Sequence, residues 1–455
     1  MRGVVAVKKK IHFGWFAGYA HGPRGWDAPY AAKGYDWRQP EIYQRMASIC
    51  EHGMFDFALF ADNVGISSVY KGSIDNHVKY GLEGIYHDTT VLAAMVAAGT
   101  KHIGIGTTVA TTFMPPYILA RQTATLDHLT RGRIAFNVVT GANDAEARNF
   151  GYTEILNHDE RYDRADEYMD LCFQLWSSWE PDAVVMDKKT GVFADPSKVH
   201  PINFKGKYYT CQGPLNVVPS PQGRPTILQA GGSERGREFA ARWADALIIN
   251  KHSVEEMKVY YDDVKSRMLK YGRNPDDLKI FFNIKPVVGE TREIAEIRRK
   301  FQERPEHISV DAGLGVLSFK LGIDLSQFDL DQPLPQLDEK SIKGVQSIYA
   351  QYANSRQPLR QLAMEADFGE RLPILGNPEE VADQLEQIMA EVGGDGFTIR
   401  VDSYNHSYML EFVNTVIPVL QERGLVRSEY TGKTLREHLR DDNPKVDEPT
   451  LIENR

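Results

Sequence analysis

The stretch 103–140, IGIGTTVATTFMPPYILARQTATLDHLTRGRIAFNVVT, decides the fold. Its opening, Ile103–Thr111, is rich in glycine and β-branched residues and reads as a strand. Pro116–Leu129 reads as a helix opened by a proline, which suits the first helical turn. Arg133–Val139 is close to an unbroken apolar run, the mark of a strand buried on both faces. Strand, helix and strand in this order predict a parallel sheet, wound or closed.

The same rhythm extends in both directions. Upstream, Ile11–Phe16 reads as a strand and Gln39–His52 as a helix. Phe55–Ala61 (FDFALFA) is a second buried strand, and Thr89–Gly99 a helix. Downstream, Tyr162, Ala165, Met169, Cys172, Leu175, Trp176 and Trp179 form one helical stripe. Residues 181–225 break the pattern with turn signals and hairpin-like stretches such as NFKGKYYTCQG, and read as an insertion. The alternation resumes with strands at Thr226–Gln229, Ala246–Asn250 and Lys279–Pro286, and helices at Ser233–Trp243, Glu255–Tyr271 and Arg292–Gln302. Residues 305–360 are less regular and read as a second insertion. Glu379–Glu391, Gly396–Arg400 and Ser407–Arg423 give the last helix, strand and helix. About eight strands favour a closed (β/α)8 TIM barrel over an open sheet. The expectation is one barrel domain over 1–455, with those two insertions and a C-terminal tail at 425–455.

Composition narrows the classes of function. The 455 residues are 42% hydrophobic and 25% charged, enough for a large core. A net charge of -9 argues against nucleic acid, which needs a basic face. Lys8–Lys10 is the notable basic run and reads as solvated. No window approaches the roughly 18 apolar residues of a membrane span. The opening MRGVVAVKKK lacks the order of a signal peptide, and Cys50, Cys172 and Cys211 show no CxxC spacing. A cytoplasmic protein with packed, reduced cysteines is expected.

Four features can carry chemistry. In LQAGGSERGREFA (228–240) a strand runs into Gly231–Gly232 and a helix opens at Ser233. Such a turn aims unpaired N–H groups and the positive helix end at an anion, so a phosphate monoester fits. The competing reading is a plain turn with a serine N-cap. GxGxxG and GK[ST] are both absent, which favours a mononucleotide over NAD or ATP. In HDERYDRADEY (158–168), His158 and Tyr162 share one face at the start of a helix. His158–Asp159 and His87–Asp88 lack further ligands at usable spacing, so no metal is expected. Asp62, Thr107, Thr108, Thr111, Asn137 and Thr140 lie at strand ends, where barrels place their sites. Asparagine is depleted in strands, which singles out Asn137. Lastly, Phe13, Trp15, Phe16, Tyr19, His21 and Trp26, with Tyr70 and Phe113, could wall a flavin and an apolar substrate, or simply pack. Neither GxSxG nor a Ser-His-Asp arrangement marks a hydrolase.

Taken together, these segments resemble flavin-dependent monooxygenases of the nitrilotriacetate, EDTA and dibenzothiophene-sulfone type, relatives of long-chain alkane monooxygenase and, more distantly, bacterial luciferase. The resemblance runs through FDFALFAD, PPYILARQTATLDHLTRGRIAFNVVTG, NDAEARNFG, HDERYDRADEY, GVFADPSKVHPINFKGKYY, QGPLNV, SPQGRPTILQAGGSERGREFA, VIPVLQERGL and TLREHLR. It implies a luciferase-like barrel binding reduced FMN, with Asp62, Thr108, His158, Tyr162 and Ser233 at flavin-binding positions. His158, Tyr162 and Ser233 would surround the phosphate, beside Gly231 and Gly232. Asn137 and Thr108 would stand at the N5 edge of the flavin, where oxygen is held. A separate NADH:FMN reductase would supply FMNH2, and O2 would be inserted into a small organic substrate. Homodimers or homotetramers are common in the family.

The chain also departs from the alkane enzyme. Gly141–Ala142 follow NVVT where that relative has serine and histidine, and FGWFAGYAHG replaces a cysteine-bearing first loop. Long-chain alkane hydroxylation is therefore disfavoured. His21, in the AHG segment, is the candidate group beside the substrate or the activated oxygen.

Overall fold

The structure, a computed structural model, describes residues 9–18, 22–23, 26, 36–141, 143–302, 309–337, 346–365, 372–400 and 405–440. Eight parallel strands close into a barrel in chain order. They are β1 (His12–Gly18), β2 (Phe57–Phe60), β3 (Gly104–Ala110), β4 (Ile134–Val139), β5 (Thr226–Ala230), β6 (Ala246–Ile249), β7 (Lys279–Ile284) and β8 (Gly396–Arg400). The last pairs with the first, His12 against Gly396. Around them stand α1 (Glu41–His52), α2 (Thr89–Ala98), α3 (Pro116–Leu129), α4 (His158–Trp176), α5 (Glu234–Trp243), α6 (Val254–Lys270), α7 (Pro378–Val392) and α8 (His406–Glu422). The expected TIM barrel is the observed fold.

Side chains alternate across the barrel wall, as the strand period of two requires. Phe57, Leu59, Ala135, Leu228, Ala246, Ile248 and Phe281 fill the interior. Gly106 makes room for them, since a Cβ there would stand 2.8 Å from Leu59 Cδ1 and 3.0 Å from Leu228 Cδ1. The opposite face packs on the helices. Phe13 stacks on Phe55 with ring centres 5.5 Å apart, and Trp15 meets Phe60 edge-on at 5.5 Å. Both belong to the shell between strands and helices, so of the two readings open for them, pocket wall or core packing, the second holds. Tyr70 donates its hydroxyl to Asp311 at 3.0 Å, within a separate cluster against the 309–337 segment.

The N-terminal end of the barrel is sealed. Leu435 and Leu439, from the short helix Leu435–Leu439, enter the interior cluster from below. Carboxylates just before the strands tie down their neighbours. Asp56 accepts from Phe13 N at 3.1 Å, Asp245 from Ile227 N at 2.8 Å and Asp395 from Ile280 N at 2.9 Å. Burial would raise the Asp56 carboxyl, but the Arg427 guanidinium and His12 hold it below its ordinary value. These charges are structural, and the open mouth lies at the other end.

Residues 181–225 carry two antiparallel hairpins, Val184–Asp187 with Val192–Ala194 and Phe204–Lys205 with Thr210–Cys211. The second is anchored by Glu167 of α4, which accepts from the backbone of Lys207, Tyr208 and Tyr209 at 2.8 Å each. The described parts of the 305–360 segment, 309–337 and 346–360, carry helices at Val310–Leu321 and Gln346–Ser355 that its sequence did not announce. The first, VDAGLGVLSFKL, is buried nearly all round and therefore lacks the amphipathic period that announces a surface helix. Gly313 and Gly315 lower its helix propensity yet permit close packing, a Cβ at Gly313 falling 1.9 Å from Ala363 O. Cys50 and Cys172 are free and buried, and Cys211 is free and half-buried. Among the described residues no helix is long and apolar enough to cross a membrane.

Candidate functional site at the barrel mouth

Three adjacent strands, β3, β4 and β5, bring most of the anticipated residues to one side of the mouth. Thr108 and Asn137 are register partners and both face inward. Asn137 donates through Nδ2 to Thr108 Oγ1 at 2.8 Å, and Thr108 donates its hydroxyl proton to the Phe60 carbonyl at 2.6 Å. The Asn137 side chain is 3% exposed, and its Oδ1 has no hydrogen-bond partner among the described residues. A buried acceptor left so is costly and points to a ligand or water at that place.

Asp62 stands one strand over, at the end of β2. It accepts from Asn63 N at 2.7 Å and from the Thr89 hydroxyl at 3.1 Å. Burial pushes its carboxyl up to about 6, against those hydrogen bonds. Thr89, the first residue of α2, also touches Thr107 Oγ1 at 3.0 Å and accepts from Thr108 N at 3.2 Å. Thr107 thus faces the helices and fixes α2 to β3. Thr111 donates to Val139 O at 3.2 Å and belongs to the backbone frame.

The glycine turn lies two strands beyond Thr108. Leu228 of β5 is the register partner of Asn137, so the turn at Gly231–Gly232 follows three residues further along the adjacent strand. Ser233 is the N-cap of α5, its Oγ accepting from Gly236 N at 3.0 Å. The cap uses the serine hydroxyl as an acceptor, and the Tyr162 phenol lies beside it, so a phosphate here would meet both hydroxyls. Tyr260 donates its hydroxyl to Gly231 O, and a Cβ at Gly231 would fall 2.4 Å from Gln229 Nε2. The turn is therefore backed by side chains that set its shape. His158 and Tyr162 rings lie 5.1 Å apart, and His158 is exposed with Nδ1 2.9 Å from Asp159. Burial raises the Tyr162 phenol, while hydrogen bonds to Ser233 and Gln229 oppose that shift. Arg235 adds a guanidinium 5.5 Å from the Tyr162 ring centre.

His21 and Tyr19 lie outside the described residues. His87 makes a 2.9 Å hydrogen bond with the Trp37 carbonyl, and Asp88 caps α2 through Thr90 N and Val91 N. Phe113 stacks on Phe150 at 4.8 Å, and Trp26 is 59% exposed. Among the described residues no group of three or more His, Cys, Asp or Glu side chains could hold a metal ion.

Sequence reading missed the wall opposite. Asn283 of β7 donates to Asn250 Oδ1 at 2.8 Å and accepts from the Thr398 hydroxyl of β8. Asn283 sits in KIFFNI as Asn137 sits in IAFNVV, a buried amide inside a strand, so the same signal was present. Gln229, 1% exposed behind the glycine turn, was also missed. Arg400 ends β8 with its guanidinium 6.0 Å from the Phe16 ring centre.

The geometry can be set beside known proteins. Dibenzothiophene-sulfone monooxygenase of Rhodococcus erythropolis is 40% identical over 413 residues, 89% of this chain and 90% of that protein. The crystal structure of a long-chain alkane monooxygenase superposes with a TM-score of 0.83 at 36% identity, over 96% of this chain and 97% of that one. A riboflavin lyase, crystallised with modified FMN and its substrate riboflavin, gives a TM-score of 0.84 at 31% identity, over 96% and 98%. Residues 11–396 match the luciferase-like monooxygenase family model, so the chain belongs to that family and is an oxidoreductase of the monooxygenase class.

Proposed function

We propose that this chain is the oxygenase of a two-component system, binding reduced FMN from a separate NADH:FMN reductase and using O2 on a small organic substrate. The observation that carries it is the pairing, across adjacent strands, of the Gly231–Ser233 anion turn with an Asn137 Oδ1 that has no partner among the described residues. One ligand with a phosphate at one end and a polar ring edge at the other answers both, and FMN has that form. Gly231 and Gly232 amides, the Ser233 hydroxyl, Tyr162 and His158 would hold the phosphate. Asp62, Thr108 and Asn137 would line the ring, over a floor of Leu59 and Leu228 that excludes water. Bound reduced flavin would supply the reaction with O2, the step no protein side chain performs.

For the substrate, the mouth favours a heteroatom-bearing molecule over a plain alkane. The Asn250–Asn283–Thr398 wall offers hydrogen bonds, and Phe13 and Trp15 are packed away from the pocket. Assembly as a homodimer or homotetramer belongs to the same proposal. The test is turnover with a generic flavin reductase, NADH and 18O2 over sulfones, aminopolycarboxylates and halogenated aromatics, read by mass spectrometry. One 18O atom per product molecule, dependent on the reductase, is expected. Oxidation that proceeds without O2 and carries no label would instead indicate hydride transfer, as in deazaflavin enzymes.

A further inference from the structure

We infer that Asn137, held in one amide orientation by Thr108, makes this mouth select reduced over oxidised FMN. The inference rests on the flavin reading above and assigns the device by which the site would tell the two redox forms apart.

The polarity of the hydrogen-bond chain is set from its base. The Phe60 carbonyl can only accept, so Thr108, 2.6 Å away, must spend its single hydroxyl proton there. Towards Asn137 the same oxygen is then an acceptor. The amide must present Nδ2 to it, at 2.8 Å, and Oδ1 must point elsewhere. An asparagine on its own could turn either way, presenting a donor or an acceptor to the mouth. Here a backbone carbonyl on β2 decides that the tip on β4 is an acceptor.

That tip is buried, without a partner among the described residues, and beside the strand that carries the anion turn. Oxidised flavin bears a lone pair and no proton at N5. Two-electron reduction adds an N–H there. An acceptor facing that edge repels the oxidised form and satisfies itself with the reduced one. The flavin N3–H is a donor in both redox states, so an Asn137 contact there would confer no preference. The two placements are therefore distinguishable by binding alone.

The experiment measures dissociation constants of the full chain for FMN and for anaerobically reduced FMN, together with the midpoint potential of the bound flavin. The wild-type protein is expected to bind the reduced form at least tenfold more tightly. The bound potential should then rise by about 30 mV per tenfold for a two-electron couple. Asn137→Leu should bring the ratio close to one. Thr108→Val, which frees the amide to turn, should lower the ratio, and Thr108→Ser, which keeps the hydroxyl, should preserve it. A wild-type ratio near one overturns the inference, as does an Asn137→Leu variant that weakens both forms equally. In either case the flavin reading itself stands. Failure to bind either form removes that reading, and this inference with it.

Discussion

The phenol oxygen of Tyr162 lies over Gly236 so closely that a Cβ there would stand 2.9 Å from it and 3.0 Å from Ser233 Oγ. Three residues from two helices thus share a space with no room for a methyl group. Gly236→Ala is expected to push Tyr162 and Ser233 apart and weaken FMN binding about tenfold. Alanine's better helix propensity, about 1 kcal/mol, should offset the strain and leave the melting temperature nearly unchanged. Calorimetric titration beside a thermal melt checks both halves, and unchanged affinity would show that the phenol can move freely.

Ser233→Ala separates the two roles of the hydroxyl. Loss of the 3.0 Å cap on Gly236 N should cost about 0.5–2 kcal/mol in urea unfolding. Loss of the phosphate contact should weaken FMN binding and leave riboflavin, which has no phosphate, almost unaffected. Equal losses for both ligands would place the phosphate away from this turn.

Asp62 gives the apo-protein a particular pH dependence. Its carboxyl is raised to about 6 by burial, from about 4 in an unfolded chain. Between those values the folded state keeps a proton that the unfolded chain has released, so this group's contribution to stability falls as pH rises through that window. Asp62→Asn should then be more stable than the wild type at pH 7.5 and similar to it at pH 4.5. Urea midpoints at the two pH values test this, and a constant offset would contradict it.

At the sealed end, Arg427→Met leaves the fully buried Asp56 without its guanidinium. A broken buried pair of this kind costs about 3–5 kcal/mol. Because Asp56 lies at the opposite end of the barrel from the mouth, the FMN dissociation constant of the folded fraction should stay within about twofold. A large change in affinity at unchanged stability would reverse the division between the two ends.

Much of the barrel was legible because strand and helix periods are local. The helix Pro116–Leu129 appears with the boundaries its sequence suggests, its flanking strands fall within one residue of theirs, and Gly396–Arg400 matches its strand residue for residue. Asn137 stood out because an amide is unusual inside an apolar strand. Asn283 bears the same mark in KIFFNI, but its partners Asn250 and Thr398 are brought to it only by the closed barrel. For Phe13 and Trp15, too, the choice between pocket wall and core packing depended on which face of a strand looks inward. Phe13 and Trp15 have the outward parity of β1, while Gly14 and Phe16 have the inward one, and only the closed barrel tells them apart.

By itself, then, the sequence determined a parallel α/β chain, a glycine turn suited to a phosphate, and the order in which strands and helices follow. Only the tertiary structure decided which side chains meet. Thr108 and Asn137 are 29 residues apart, and Asn283 and Thr398 are 115 apart. Each pair is joined by a strand register that closure of the barrel imposes. The direction of the Asn137 amide depends on a third strand, through the Phe60 carbonyl. Periodicity is a property of neighbours along the chain, whereas register and hydrogen-bond polarity belong to neighbours across the sheet.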